Sequence, residues 1–79
     1  MKKIEMVKAT EEYSLECHFD DGSKRKADNK PYLKSEAFIW LRDLNNFKQV
    51  VNSQYFVSWR NEEIDLSADT LWHIGKVSD

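Results

Sequence analysis

The sequence predicts an α+β fold: a small, mostly antiparallel sheet of two hairpins, about five strands in all, covered by one helix and followed by a short C-terminal helical turn. Three observations predict it. Tyr13, Leu15, Cys17 and Phe19 alternate with Ser14, Glu16 and His18 before the run breaks at Asp20-Asp21-Gly22, the pattern of a half-buried strand entering a hairpin. Tyr55, Val57 and Trp59 repeat that alternation later in the chain. Between the two runs, Phe38, Leu41 and Leu44 fall near one helical stripe, flanked by Ala37 and Trp40.

Each element can be justified in turn. Lys3 to Ala9 reads as a first strand, and a turn around Thr10-Glu11 sets Met6 opposite Leu15 and Ile4 opposite Cys17 on one apolar face. After Phe19, a three-residue loop with Gly22 in the left-handed position pairs Leu15 with Ala27 and Glu16 with Lys26, whereas a two-residue loop would drive Lys26 opposite Cys17. The third strand, Ser23 to Asp28, carries Lys24-Arg25-Lys26 and little that is apolar, so it reads as a charged sheet edge ended by Pro31. Tyr32 and Leu33 are expected to pack down. Ser35 is then the N-cap of a helix over Glu36 to Leu44, and Asn45-Asn46 stops it. Phe47 to Val51 and Gln54 to Arg60 follow as a second hairpin joined near Asn52-Ser53, with Phe56 on the face opposite Tyr55, Val57 and Trp59. Finally, Ile64 to Ser67 leads into a helical turn over Ala68 to Ile74, capped by Ser67, with Asp69 near its start and Gly75 just past its end.

Composition narrows the function classes. With 79 residues, no internal repeat and no Gly/Ser linker, residues 1–79 form one domain that buries only about 60% of its unfolded surface. The ten aromatic side chains supply most of its core. Twelve basic and 14 acidic residues give a net charge of −2, too even to attract a nucleic acid or an acidic membrane without local clustering. The one cysteine, Cys17, sits on an apolar stripe and reads as a small hydrophobe rather than a nucleophile. No stretch approaches the ~20 apolar residues that span a bilayer, and a cytoplasmic protein without membrane contact is expected.

The order of these elements resembles a known family. Phe19-Asp20-Asp21-Gly22 before a basic strand, Pro31-Tyr32-Leu33, Phe38 with Leu41, Phe47 with Val50, Trp59 followed by Asp65-Leu66, and Asp69 with Leu71 together resemble the small bacterial and phage family called domain of unknown function 2442. The resemblance spans nearly the whole chain and departs from the pattern at two points. The turn after Trp59 is Arg60-Asn61-Glu62-Glu63 where a Pro- or Gly-bearing turn is expected, and the third strand is more basic than usual. What it implies is a compact α+β fold with no assigned activity, cofactor or catalytic residue. Some relatives carry the module ahead of a helix-turn-helix domain and others are encoded beside a second small domain, which implies a sensing or interaction role exerted through a partner.

Candidate chemistry is sparse. His18 and Asp20 point to one side of their strand, and with Asp21 or His73 they could form a metal or acid/base group, although a metal site needs three or four convergent ligands. Asp65 and Asp69 read as turn and helix-start residues. No catalytic residue, cofactor or metal is expected, and an enzyme is not. Lys24, Arg25 and Lys26, with Lys30 and Lys34 nearby and Tyr13 and Tyr32 as stacking groups, form the best nucleic-acid candidate. Phe56, Trp59 and Trp72 form the candidate partner interface, because a chain this short seldom buries every large ring. The leading expectation is a noncatalytic protein-interaction module, paired with an operon-encoded partner or with itself. A nucleic-acid regulator using the basic strand is the first alternative, and a small metal-dependent enzyme around His18 the second.

Overall fold

A computed structural model describes residues 2–77. Strands β1 (Ile4–Ala9), β2 (Ser14–Phe19) and β3 (Lys24–Asp28) precede helix α1 (Leu44–Phe47); β4 (Val51–Asn52), β5 (Phe56–Trp59), β6 (Ile64–Ser67), α2 (Ala68–Ile74) and β7 (Lys76–Val77) follow. The class is α+β, as the sequence predicts. The strands form two antiparallel sheets among the described residues, β1-β2-β3-β7 and β4-β5-β6.

The β2–β3 hairpin has the predicted register, with Leu15 opposite Ala27 and Glu16 opposite Lys26. Gly22 sits at φ +88°, and its N–H donates to the Phe19 carbonyl at 3.0 Å, closing the three-residue loop. The Asp21 carboxylate accepts from the Ser23 hydroxyl and backbone N–H, and these bonds hold its pKa below the ordinary carboxylate value.

The β1–β2 hairpin differs from expectation. Ala9 faces Leu15, Val7 faces Cys17 and Met6 faces His18. Two local causes move the turn along the chain. Thr10 Oγ1 accepts from the N–H groups of Glu12 and Ser14, and Tyr13 adopts φ 61°, so the loop closes at Ser14 rather than at Thr10-Glu11. Tyr13 is rewarded for this conformation by its ring contact with Phe47 and by its hydroxyl donating to the Arg42 carbonyl. A bulge between Ile4 and Met6 then returns Ile4 to the inner face opposite Phe19 and leaves Met6 58% exposed.

The covering layer is helical but mostly not α. Residues Lys30–Lys34 and Glu36–Arg42 form two 3-10 turns, separated by Ser35 at ψ 140°, and α1 begins only after Asp43. Ser35 occupies the cap position without a side-chain cap bond, whereas the Asp43 carboxylate accepts from Asn45 N–H. Phe38, Leu41 and Leu44 are three residues apart. That spacing aligns side chains in a helix of three residues per turn, and Leu41 becomes fully buried. Asn45 and Asn46 therefore lie inside a helical turn, and Phe47 is its last residue rather than the start of a strand.

Strand β6 was expected only as a lead-in to the last helix. It pairs with β5, with Ile64 opposite Trp59 and Leu66 opposite Val57. Ile64 and Leu66 point inward while Asp65 and Ser67 point out, a four-residue alternation visible in the sequence. Ser67 caps α2 by accepting from Thr70 N–H at 3.1 Å. Beyond α2, β7 pairs with β3, so the basic strand is not a free edge at Arg25 and Lys26.

One apolar cluster joins both sheets and the helices, including Leu15, Cys17, Phe19, Phe47, Trp59 and Leu71. The sheets are stitched where β1 meets β4: Ile4 N–H donates to the Gln54 carbonyl at 2.7 Å, and Asn52 Nδ2 to the Ile4 carbonyl at 3.0 Å.

Candidate functional site

The residues singled out from the sequence are dispersed. Trp59 is fully buried, its ring stacked on Phe47 at 5.9 Å and its indole N–H donating to the Phe47 carbonyl at 2.9 Å, so no partner can reach it in this fold. Trp72 is half-buried with both faces covered, by Lys2 Nζ at 3.6 Å and the Arg25 guanidinium at 3.7 Å. Phe56 is half-buried on the outer face of β5. These three rings do not form one surface.

The basic strand is also divided. Arg25 turns away from its neighbours and donates through Nη1 to the Trp72 and Gly75 carbonyls, at 3.1 and 3.2 Å. Lys24 stays exposed and Lys26 pairs with Glu12 at 3.8 Å. Tyr13 and Tyr32 are half-buried, each in tilted contact with another ring, Phe47 and Phe38.

No group of three or more His, Cys, Asp or Glu side chains converges among the described residues. His18 lies between Met6 and Lys24 across its two neighbouring strands, while His73 is exposed on α2. Asp69 accepts from the backbone N–H of Lys2, and Asp65 is exposed on β6. Burial pushes the Cys17 thiol up to about 12, which keeps it protonated and unreactive at neutral pH.

A different place gathers several features at once. A groove of about 440 Å³ is lined by Trp40, Gln49, Val51, Arg60, Asn61 and Glu63. The 3-10 turn Glu36–Arg42 supplies Trp40, and β4, the outer strand of its sheet, supplies Val51, which is 55% exposed. Gln49 comes from the link between α1 and β4, and the β5–β6 turn supplies Arg60, Asn61 and Glu63. That turn is Arg60-Asn61-Glu62, with φ values of 52°, 54° and 69°. Three successive non-glycine residues in the left-handed region cost on the order of 1 kcal/mol each, least for asparagine. Only one backbone bond, Glu63 N–H to the Arg60 carbonyl at 3.1 Å, ties the turn to itself. The left-handed path carries the Arg60 guanidinium to 5.2 Å from the centre of the Trp40 ring.

Sequence reasoning missed this groove because its parts come from segments 9 to 20 residues apart, and none is distinctive alone. One signal was present. The lack of a proline or glycine in Arg60-Asn61-Glu62-Glu63 is one of the two departures from the pattern expected of the family, and this is where the backbone is strained.

The groove offers the Trp40 ring and Val51 as apolar contacts beside the Arg60 cation, the Glu63 carboxylate and the amides of Gln49 and Asn61. Among the described residues, no helix is long and apolar enough to cross a membrane. No curated protein and no solved structure matches the chain. The family model described as protein of unknown function (DUF2442) matches residues 4–77, from the first residue of β1 to the last of β7, and the chain belongs to that family.

Proposed function

We propose that the chain is a noncatalytic protein-interaction module, and that it docks a partner protein in the groove between Trp40 and the Arg60–Glu62 turn. The single observation that carries the reading is the run of three left-handed residues beside exposed apolar surface. Backbone strain of this kind persists where the rest of the fold over-determines it, and it clusters at ligand clamps and binding loops. Here it holds a guanidinium near an indole at the rim of the groove. The fitting partner segment places an aliphatic or aromatic side chain on Trp40 and Val51 and a carboxylate against Arg60. The interface drawn from Phe56, Trp59 and Trp72 shifts accordingly to Trp40, Val51 and Arg60.

The test is site-specific crosslinking in the native cell, with a photoreactive amino acid at position 51 and a control at position 20, at the far end of the β2–β3 hairpin. The expected product is one protein species joined from position 51, absent from position 20, and lost when Arg60→Glu is added. A crosslink to nucleic acid or to a second copy of this chain, or none at all, overturns the reading.

A further inference from the structure

The pairing of β7 with β3 places Lys76 directly across from Lys26. Like charges facing each other on a sheet oppose the pairing that brings them together. Both side chains lie on one face, and with Lys30 they line a cleft of about 340 Å³. Ser14, only 5% exposed, contributes a hydroxyl at the same place, and Ile74 and Val77 form an apolar wall.

Two carboxylates also line the cleft. Glu12 approaches Lys26 at 3.8 Å with its side chain 75% exposed, a distance and exposure at which an ion pair contributes little. Asp28 keeps its charge while Oδ1 accepts from the backbone N–H of Lys30 at 3.0 Å. The lining holds three ammonium groups and two carboxylates, with Glu16 facing Lys26 from β2, so the two lysines brought together by β7 are the feature that sets this cleft apart.

We propose that this cleft binds a small phosphate-bearing anion, its phosphoryl oxygens bridging Lys26 and Lys76 and any apolar body lying against Ile74 and Val77. A doubly charged, three-oxygen group removes the repulsion between the two lysines by accepting from both. The volume is that of a small-molecule site. The site shares no residue with the groove around Trp40, so the two stand or fall separately.

The probes are inorganic phosphate and phenyl phosphate, titrated into the 15N-labelled protein, with sodium chloride at matched ionic strength as the reference. Saturable shifts at Lys26, Lys30 and Lys76 are expected with both probes. Tighter binding of phenyl phosphate assigns the ligand as an organic phosphomonoester, and equal binding assigns it as phosphate itself. Lys76→Gln is expected to weaken binding at least tenfold while raising the melting temperature in phosphate-free buffer, because it removes the facing charge. Lys24→Gln, on the same strand but outside the cleft, is expected to change neither. The inference is overturned if chloride reproduces the shifts, if Lys76→Gln binds as well as the parent, if Lys76→Gln melts lower without phosphate, or if only an oligonucleotide produces a response.

Discussion

Arg25 lies over Trp72, its guanidinium carbon 3.7 Å from the ring centre, while the same side chain donates to the Trp72 carbonyl. It also reaches the Gly75 carbonyl, so one arginine closes the end of α2 and carries the chain into β7. A planar fork that stacks and donates at once has no lysine equivalent. Arg25→Lys is therefore expected to cost about 2 kcal/mol, with Lys24→Gln within about 0.5 kcal/mol of the parent. Urea melts of the two variants check this, and equal midpoints would contradict the role given to Arg25.

The two glycines act by different means. Gly22 has φ +88° and open space where a side chain would go, so Gly22→Ala carries only a conformational cost of about 1 kcal/mol. Gly75 has an ordinary φ of −73°, but a Cβ there would sit 2.7 Å from the Leu71 carbonyl and 2.9 Å from Arg25 Cβ. Gly75→Ala is expected to be the more damaging, by about 2–3 kcal/mol, because the first obstacle is backbone and the second is anchored. Gly22→Asn, which tolerates the left-handed region, should recover part of the loss at that position, and no residue should do so at Gly75. Thermal melts of the three variants decide between these outcomes.

Relief of strain in the β5–β6 turn gives a third expectation. Glu62 sits at φ 69°, and Glu62→Gly removes the steric cost while adding backbone entropy to the unfolded chain. The net effect is a gain of about 0.5–1 kcal/mol in stability. A partner complex that relies on a rigid Arg60 should weaken in the same variant. Calorimetric melting of the free protein measures the first effect, and the yield of the position-51 crosslink measures the second.

Trp59 is the ring whose replacement should be most costly. Trp59→Phe leaves the Phe47 carbonyl without its indole donor and opens space beneath the Phe47 ring, a loss of about 2–3 kcal/mol. Fluorescence-detected unfolding checks the value, and a loss below about 0.5 kcal/mol would show that the hydrogen bond is replaced by solvent.

Alkali should act through Cys17. The thiol has a folded-state pKa raised from 9.0 to about 12 by burial, so above pH 9 the unfolded chain releases a proton that the folded one retains. The contribution of this thiol to stability is full below pH 9 and is lost as pH rises toward 12. Cys17→Ala should have a flatter stability profile over that window. A thiol reagent should modify the native protein only as fast as it opens.

How far the sequence specified the structure varies by element. Phe19 to Lys26 was legible because alternation, a left-handed glycine and charge pairing all require the same register. Met6 was misplaced because its strand carries apolar residues at both Met6 and Val7, and the choice between them rests on the Thr10 hydroxyl and on Tyr13. The Phe38-Leu41-Leu44 stripe was correct as a set of inward residues, yet a spacing of three fits both helix types, and the breaks at Ser35 and Asp43 selected the tighter one. Strand β7 is only two residues long, and its pairing depends on Arg25 and Gly75 drawing the chain against β3. Neither the groove nor the lysine cleft was legible, since each joins segments whose proximity is a product of the whole fold.

The extra residue that kinks β1 near Glu5 has a consequence for how the molecule behaves at high concentration. Beyond Ile4, which the Asn52–Gln54 segment covers, the outer rim of β1 is paired with no strand of its sheet, and a regular extended backbone there would offer a template on which further chains could stack into fibrils. The kink spoils that template at one end, and the Lys8 ammonium discourages it at the other. Removing Glu5 would straighten the rim, and the price of a neater sheet would be a protein prone to amyloid.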